Sequence, residues 1–171
     1  MLEIEAKARV RDLSEIEEKL VELKAEFIKE EEQEDLYFNH ACRDFSKTDE
    51  ALRLRKVGEK TFLTYKGAKI EKLTKTREEY EVEVDNFNNA KKILEKLGFK
   101  EVVKVKKKRR YFRLKEYLVY LDEVQKLGSF VEIEKKANEY DPKELIEFLK
   151  ALGAEDIERR SYLELLLSES L

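Results

Sequence analysis

Full charges alternate with apolar residues in several short segments, and this feature most constrains what the chain can fold into. Near the N-terminus, the charged residues Glu3, Glu5 and Lys7 are separated by Ile4 and Ala6. Because successive side chains of a β-strand point to opposite faces, this period of two predicts a strand with one charged and one apolar face. The pattern recurs in at least three later segments, so we expect a sheet with two very different faces.

Eight segments are predicted to be strands. They are residues 3–10, 34–39, 51–57, 60–66, 76–84, 102–113, 117–124 and 129–135. Four further segments have helical periodicity, and together the two kinds of element predict an α+β fold.

Capping signals place the predicted helices. Ser14 and Glu17 form a capping box for the first helix, and the other three begin at Asn86 or Asn88, at Asp141-Pro142 and near Ser161. Each of the first three carries an apolar stripe; the stripes are Ile16, Leu20, Leu23 and Phe27, then Ala90, Ile93, Leu94 and Leu97, then Leu145, Ile146, Leu149 and Leu152. Gly98 and Gly153 are predicted to end the second and third helices.

The charged strand faces allow two architectures. An ordinary sheet with one face in water carries charges on its solvated side. Such faces usually also contain Thr, Ser and Gln, whereas these are nearly pure Glu, Lys and Arg. If the helices cover the apolar faces from outside, the eight strands can close into an antiparallel β-barrel with a charged lumen. A dry, empty lumen of this kind is unfavourable, so the barrel is expected to hold water, metal and a polyanion.

The charge balance limits the classes of function. The chain has 36 basic and 39 acidic residues and a net charge of −3, which argues against a general nucleic-acid or membrane-surface protein. Cys42 is the only cysteine, and no signal peptide or long apolar run is present, so we expect a soluble cytoplasmic protein. No Gly-, Ser- or Pro-rich linker divides the chain, which predicts one domain over residues 1–171.

Acidic residues on the charged faces form a candidate metal site. Glu3 and Glu5 make one pair on a strand, Glu132 and Glu134 make a second, and Asp122 lies on a neighbouring strand. Such all-oxygen clusters suit Mg²⁺ or Mn²⁺, which bind carboxylates together with substrate phosphate oxygens, and they do not suit zinc.

Basic residues on the same faces form a candidate phosphate site. They are Lys7, Arg53, Arg55, Lys66 and Arg77, with one or two more from the run 106–110. Arginine binds phosphate through two parallel hydrogen bonds, and lysine adds a point charge. The five glycines have no phosphate-loop spacing, so side chains must hold any phosphate chain.

A series of short motifs, in order along almost the whole chain, supports this chemistry. They are Glu3-x-Glu5-x-Lys7, Asp35-Leu36-Tyr37-Phe38, the segment 43–55, Leu63-Thr64-Tyr65-Lys66-Gly67, Arg77-Glu78-Glu79-Tyr80-Glu81, Lys107-x-Arg109, Leu121-Asp122-Glu123-Val124, the segment 127–134 and Arg160-Ser161-Tyr162. The series resembles the CYTH superfamily, the triphosphate tunnel metalloenzymes. The segment 43–55 is most similar to the class IV adenylyl cyclase branch.

The resemblance implies an eight-stranded tunnel, a divalent metal (Mg²⁺ or Mn²⁺), a small-molecule triphosphate substrate and a homodimer. The residues that it assigns to the metal are Glu3, Glu5, Asp122, Glu132 and Glu134. Those that it assigns to the phosphates are Lys7, Arg53, Arg55, Lys66, Lys107 and Arg109, and we add Arg77, Glu79 and Glu81 as substrate-binding candidates. Our candidate catalytic residues are Lys7, Glu5 and Glu134.

The basic run 104–110 permits two strand registers, and a slip of one residue exchanges the two faces. Val103 and Val105 favour even-numbered bases facing inward, whereas the family spacing favours Lys107 and Arg109 unless a bulge intervenes. Both registers stay open at this point.

Three functions are compatible with the sequence. The first is a class IV-like adenylyl cyclase, which converts ATP to cyclic AMP and pyrophosphate. The second is a hydrolase that removes the terminal phosphate of inorganic tripolyphosphate, thiamine triphosphate or a nucleoside triphosphate. The third is a non-enzymatic polyphosphate- or RNA-binding module. Five acidic residues in the site favour an enzyme, because a pure anion binder gains nothing from them.

Overall fold

The computed structural model describes residues 2–70, 76–139 and 141–169. In chain order the elements are β1 (Leu2–Val10), α1 (Leu13–Glu22), β2 (Glu26–His40), α2 (Phe45–Thr48), β3 (Ala51–Val57), β4 (Lys60–Lys66), β5 (Glu79–Val84), α3 (Phe87–Lys96), β6 (Phe99–Leu114), β7 (Tyr117–Val124), β8 (Gly128–Ala137), α4 (Pro142–Ala151), β9 (Asp156–Ile157) and α5 (Tyr162–Glu169). No helix within these ranges is long and apolar enough to cross a membrane.

The strands form one antiparallel sheet in the order β5-β4-β3-β2-β6-β7-β8-β1-β9. The sheet curves until the start of β1 meets the segment before β5, where the backbone N–H of Arg77 donates to the carbonyl oxygen of Glu3 at 3.3 Å. The predicted α+β tunnel is therefore confirmed in architecture. The sheet is not closed by a continuous ladder, and the two-residue β9, too short to show alternation, is a ninth strand among the described residues.

The outer face of the sheet is apolar and is covered by helices. One buried cluster joins Ile4, Ala6 and Ala8 of β1 to Leu20 of α1 and Leu149 of α4. A second cluster on the same outer face lies under α2 and α3. The inner face is consequently left to the charged residues, as the alternation predicted.

A third apolar cluster lies on the inner side, at one end of the tunnel. Val105 of β6 and Phe130 of β8 pack there against Tyr162 and Leu165 of α5. The inner face is thus apolar where α5 packs on it and charged elsewhere. This explains why β6 can carry both valine and lysine on its inner face.

The first predicted helix is corrected in two respects. Asp12, and not Ser14, is the N-cap, because the Asp12 carboxylate accepts the backbone N–H of Ser14. The helix also ends before Phe27, which lies in β2 and is 54% exposed. The first half of β2 has no apolar alternation that sequence reasoning could detect. It pairs with β6 instead, with cross-strand ion pairs such as Lys108 to Glu30 at 3.2 Å.

The later helices follow their predicted signals, with one error. Asn86 caps α3, Asp141 caps α4, and both Gly98 and Gly153 have positive φ just after a helix. Ile93 and Leu97, expected to be internal, are 59% and 64% exposed, whereas Leu94 on the neighbouring face is buried. The predicted strand 76–84 is shorter, since β5 begins only at Glu79, and residues 71–75 before it lie outside the described ranges.

Candidate active site in the strand-lined cavity

The inner face of the sheet encloses a cavity of about 430 Å³. Twelve of the site residues predicted from sequence line it: Glu3, Glu5, Arg53, Arg55, Lys66, Arg77, Glu79, Glu81, Lys107, Arg109, Glu132 and Glu134. The two that do not line it are Lys7 and Asp122, which are buried behind its wall. The strand alternation read from the sequence therefore predicted nearly all of the charged residues that line this cavity together.

Three carboxylates converge at one side of the cavity. Glu3 and Glu5 project from β1, and Glu134 projects from the paired position on β8, directly opposite Glu5. One carboxylate oxygen from each residue lies within 4.8 Å of the others. Three convergent oxygens match the preference of Mg²⁺ or Mn²⁺, which complete their shells with water and phosphate oxygens.

The electrostatics of this acidic group favour a cation. Burial, together with the neighbouring Glu5, raises the pKa of Glu3 to about 11. Burial and the proximity of Glu5 also raise the pKa of Glu134. These shifts mean that ionising all three carboxylates together is unfavourable, because burial and mutual repulsion both disfavour the charged forms. A divalent cation would remove that repulsion, so the residues present fit such an ion.

Arg53 on β3 is a buried cation with unused hydrogen-bonding capacity. Its side chain is almost fully buried, and its Nε has no hydrogen-bond partner among the described residues. Its Nη2 makes only long contacts, at 3.3 Å to Thr64 Oγ1 and 3.5 Å to Glu81. An anion in the cavity would satisfy this buried guanidinium group, since leaving a buried donor unpaired is costly.

Arg55 and Lys107 are held from behind by Asp35, a fully buried residue of β2 to which sequence reasoning assigned no role. Arg55 donates to both Asp35 oxygens, at 2.6 and 2.8 Å, and Lys107 Nζ donates to Asp35 Oδ2 at 3.0 Å. Burial opposes ionisation of Asp35, but the two cations outweigh it and hold its pKa well below the usual value. Burial lowers the pKa of Lys107 to about 7, against the opposing effect of Asp35.

Asp122 plays a similar part for Arg109 and lies apart from the group formed by Glu3, Glu5 and Glu134. Arg109 donates to both Asp122 oxygens, at 2.7 and 2.6 Å, and reaches Glu132 at 3.1 Å. The hydroxyl of Tyr162 on α5 donates to Asp122 at 2.6 Å. Burial opposes the charge, yet Arg109 lowers the pKa of Asp122. The oxygens of Asp122 are therefore committed to Arg109 and Tyr162, although the family pattern assigned them to metal.

Lys7 lies beneath the start of α5. Its Nζ donates to the backbone carbonyl of Arg160 at 2.6 Å and sits 4.0 Å from the centre of the Tyr162 ring. The remaining predicted residues face the cavity: Arg77 donates to the carbonyl of Gly67 at 3.3 Å, and Glu79 is 2.8 Å from Lys66. The motif Arg160-Ser161-Tyr162 was the only sequence signal for the contacts of α5.

The structure decides the register of the basic run. Lys107 and Arg109 are buried on the inner face, whereas Lys106 and Lys108 are exposed. The register favoured by Val103 and Val105 was wrong, because Val105 faces inward against the apolar cluster beneath α5.

Arg53→Ala is expected to weaken tripolyphosphate binding by at least about tenfold, since charge-assisted hydrogen bonds contribute roughly 1.5–3 kcal/mol. Arg53 combines burial in the cavity wall with unused donors, so its loss removes binding energy directly. Isothermal titration calorimetry would measure the change. Lys108→Ala is the matched control, because that basic residue is exposed outside the cavity. Equal binding by both variants would exclude Arg53 from the anion site.

Comparison with known proteins agrees with this geometry. The sequence matches the CYTH domain family over residues 1–162. It is 43% identical to a Methanocaldococcus jannaschii protein named "Putative adenylate cyclase MJ0240", over 96% of this chain and 98% of that protein.

Two solved structures from Pyrococcus horikoshii also match. PH1819 is 46% identical, with a TM-score of 0.89 over 98% of this chain and 99% of that chain. PH1012 is 34% identical, with a TM-score of 0.83 over 95% of this chain and 98% of that chain. The protein therefore belongs to the CYTH family and is a CYTH-type phosphoryl- or nucleotidyl-transfer enzyme.

Proposed function

We propose that this protein is a divalent-metal-dependent adenylyl cyclase that converts ATP to cyclic AMP and pyrophosphate in the strand-lined cavity. The observation that carries the proposal is the arrangement of opposite charges within one cavity. Three carboxylates converge at Glu3, Glu5 and Glu134, while Arg53, whose buried Nε has no hydrogen-bond partner among the described residues, lines the same cavity. A bound polyphosphate would complete both groups, since its oxygens can join a metal shell and accept from arginine.

The cavity also has apolar residues in its lining, and these favour a nucleotide over inorganic tripolyphosphate. Phe45, Val102, Leu163 and Leu167 line it together with polar residues that include Asn39. A phosphate chain alone has no use for an apolar wall, whereas an adenosine group needs one with a few polar partners. The M. jannaschii relative, which carries the cyclase name, points the same way.

Some of these residues would bind the metal or the phosphates, and others orient the side chains that do so. Glu3, Glu5 and Glu134 would bind the divalent ion, which supplies charge neutralisation for the phosphates and can lower the pKa of a nearby hydroxyl. Arg53, Arg55, Lys107 and Arg109 would hold the phosphates as negative charge develops on the leaving pyrophosphate. Asp35 and Asp122 orient three of those cations. Asp35 accepts from Arg55 and Lys107, and Asp122 accepts from Arg109. Lys7 holds the start of α5 through the Arg160 carbonyl, and its catalytic role stays a prediction.

The reaction itself follows from these positions. The 3′-hydroxyl of ATP loses its proton to solvent, its oxygen attacks the α-phosphorus, the bond from that phosphorus to the bridging oxygen breaks, and pyrophosphate leaves. The same clamp could instead direct water to the terminal phosphorus, which would make the enzyme a triphosphatase. Both reactions depend mainly on positioning and electrostatics, so product identity distinguishes them.

Incubation of the protein with Mn²⁺ and ATP, followed by chromatography and phosphorus NMR, is expected to yield cyclic AMP and pyrophosphate. Parallel reactions with tripolyphosphate and thiamine triphosphate test the hydrolase. Excess EDTA should abolish turnover and added Mg²⁺ or Mn²⁺ should restore it, because the acidic group is all oxygen. Orthophosphate without cyclic AMP would replace the cyclase by a hydrolase, and full activity in EDTA would exclude the metal.

A further inference from the structure

Lys66, at the end of β4, directs its charge into the acidic group. Its Nζ lies 3.4 Å from Glu3, 3.1 Å from Glu5 and 2.8 Å from Glu79. Two of these three carboxylates belong to the group that fits a divalent ion. The side chain is largely buried, so water screens these contacts only weakly.

A divalent ion and the Lys66 ammonium group cannot share these oxygens without strong repulsion. The ion carries two positive charges, and charges of the same sign repel strongly at such short distances in a partly buried site of low effective dielectric constant. An ion bound by Glu3 and Glu5 must therefore push the ammonium group away. The lysine stem is flexible and can move, whereas the strand positions of the carboxylates are fixed.

The cavity offers Lys66 an alternative position beside the proposed phosphate site. Thr64 lies two residues earlier on the same face of β4 and contacts Arg53 at 3.3 Å. A polyphosphate held by Arg53 would thus present oxygens on the same wall of the cavity, within reach of a displaced ammonium group. Lys66 then exchanges carboxylate partners for phosphate partners.

We propose that Lys66 couples metal binding to polyphosphate binding, because its ammonium group competes with the divalent ion for Glu3 and Glu5 until a polyphosphate draws it away. The identity of the anion rests on the proposed function, whereas the competition at the carboxylates does not. Coupling between two ligands is reciprocal. Bound polyphosphate therefore increases the affinity for the metal by the same factor as bound metal increases the affinity for polyphosphate.

The test compares Mn²⁺ affinity in the wild type and in Lys66→Met, without nucleotide, by isothermal titration calorimetry. Methionine keeps the approximate shape of the stem and removes the competing charge. The expected result is Mn²⁺ binding at least about tenfold tighter in Lys66→Met, while tripolyphosphate binding weakens. Tripolyphosphate should increase the affinity for Mn²⁺ less in Lys66→Met than in the wild type, because only direct coordination of the metal by phosphate oxygens remains. Unchanged or weaker Mn²⁺ binding by a folded Lys66→Met protein overturns the proposal.

Arg53→Met is the matched control. It removes a cation from the same cavity, but Arg53 makes no ion pair with Glu3 or Glu5 in the described structure. It should weaken tripolyphosphate binding and leave the affinity for Mn²⁺ alone within about twofold of the wild type, because more distant charges interact less. If Lys66→Met does not fold, Lys66→Gln is measured instead, with the same expectations.

Two outcomes distinguish a failure of this inference from a failure of the proposed function. Wild-type protein that binds tripolyphosphate but makes no cyclic AMP would refute the cyclase and leave the coupling intact. Mn²⁺ affinity in the wild type that does not respond to tripolyphosphate would overturn the coupling, whatever the reaction.

Discussion

Glu134→Gln is expected to lower turnover by roughly 10²-fold or more, a typical loss when one charge-stabilising group is removed from an active site. Glu134 is one of the three carboxylates whose oxygens converge within 4.8 Å. Glutamine keeps the shape of the side chain and removes its charge, so the metal would lose one of its three anionic ligands. Steady-state kinetics at saturating Mn²⁺, with calorimetry of Mn²⁺ binding, would measure both effects.

Glu132→Gln is the control for this prediction, because it makes the same change two residues away on β8. Both residues belong to the same Glu-Ile-Glu motif and both face the cavity. Glu132, however, accepts from Arg109 at 3.1 Å, whereas Glu134 accepts from Tyr120 at 2.8 Å and faces Glu5. We expect Glu132→Gln to raise KM for the triphosphate more than it lowers Mn²⁺ affinity. Near-wild-type turnover in Glu134→Gln would show that its place in the acidic group has no catalytic consequence.

The strand faces could be predicted from sequence because alternation is a local property. Glu3, Glu5 and Arg53 each lie between apolar neighbours, and Arg55 lies two residues after Arg53, so their common direction follows from the pleat of a strand. Once the helices cover the apolar faces, these residues have only the inside of the tunnel to face. That reasoning needed no knowledge of which strand pairs with which.

The grouping of the charges could not be predicted in the same way, because it depends on strand order and on α5. Asp122 and Glu134 are both acidic residues on the inner face of neighbouring strands. Only the pairing of β6 with β7 places Arg109 directly opposite Asp122, and only α5 adds Tyr162 to it. Strand position and the family resemblance therefore assigned Asp122 to metal, which stays a prediction, and neither indicated that Asp122 also orients a cation.

Asp35→Asn is expected to reduce the free energy of unfolding by roughly 3–5 kcal/mol, the usual cost of removing one partner from a buried ion pair. Asp35 is fully buried and serves Arg55 and Lys107 together, so the substitution leaves two buried cations without their shared counter-charge. Urea denaturation followed by circular dichroism would measure the loss. Tripolyphosphate should recover part of it, because phosphate oxygens can replace the lost carboxylate and ligands stabilise the state that binds them.

Glu34→Gln is the control for the stability measurement, since Glu34 is the adjacent residue on the opposite face of β2. Its ion pairs with Lys104 at 3.0 Å and Lys106 at 3.5 Å are partly exposed, and exposed pairs contribute only about 0–1 kcal/mol. A loss as small in Asp35→Asn as in Glu34→Gln would mean that water or a rearranged neighbour already compensates Arg55 and Lys107.

The dependence of this loss on pH provides a separate check on its origin. The folded-state pKa of Asp35 is depressed, so its ionised form stabilises the protein fully above the unfolded pKa of about 3.9. That contribution is lost only as the pH falls from there through the folded pKa, where the wild-type carboxyl group becomes neutral like asparagine. The difference in unfolding free energy between wild type and Asp35→Asn should therefore shrink as the pH falls below about 4. A difference that disappears between pH 6 and 8 would instead indicate Lys107, whose pKa is about 7, as the group that sets the stability of this cluster.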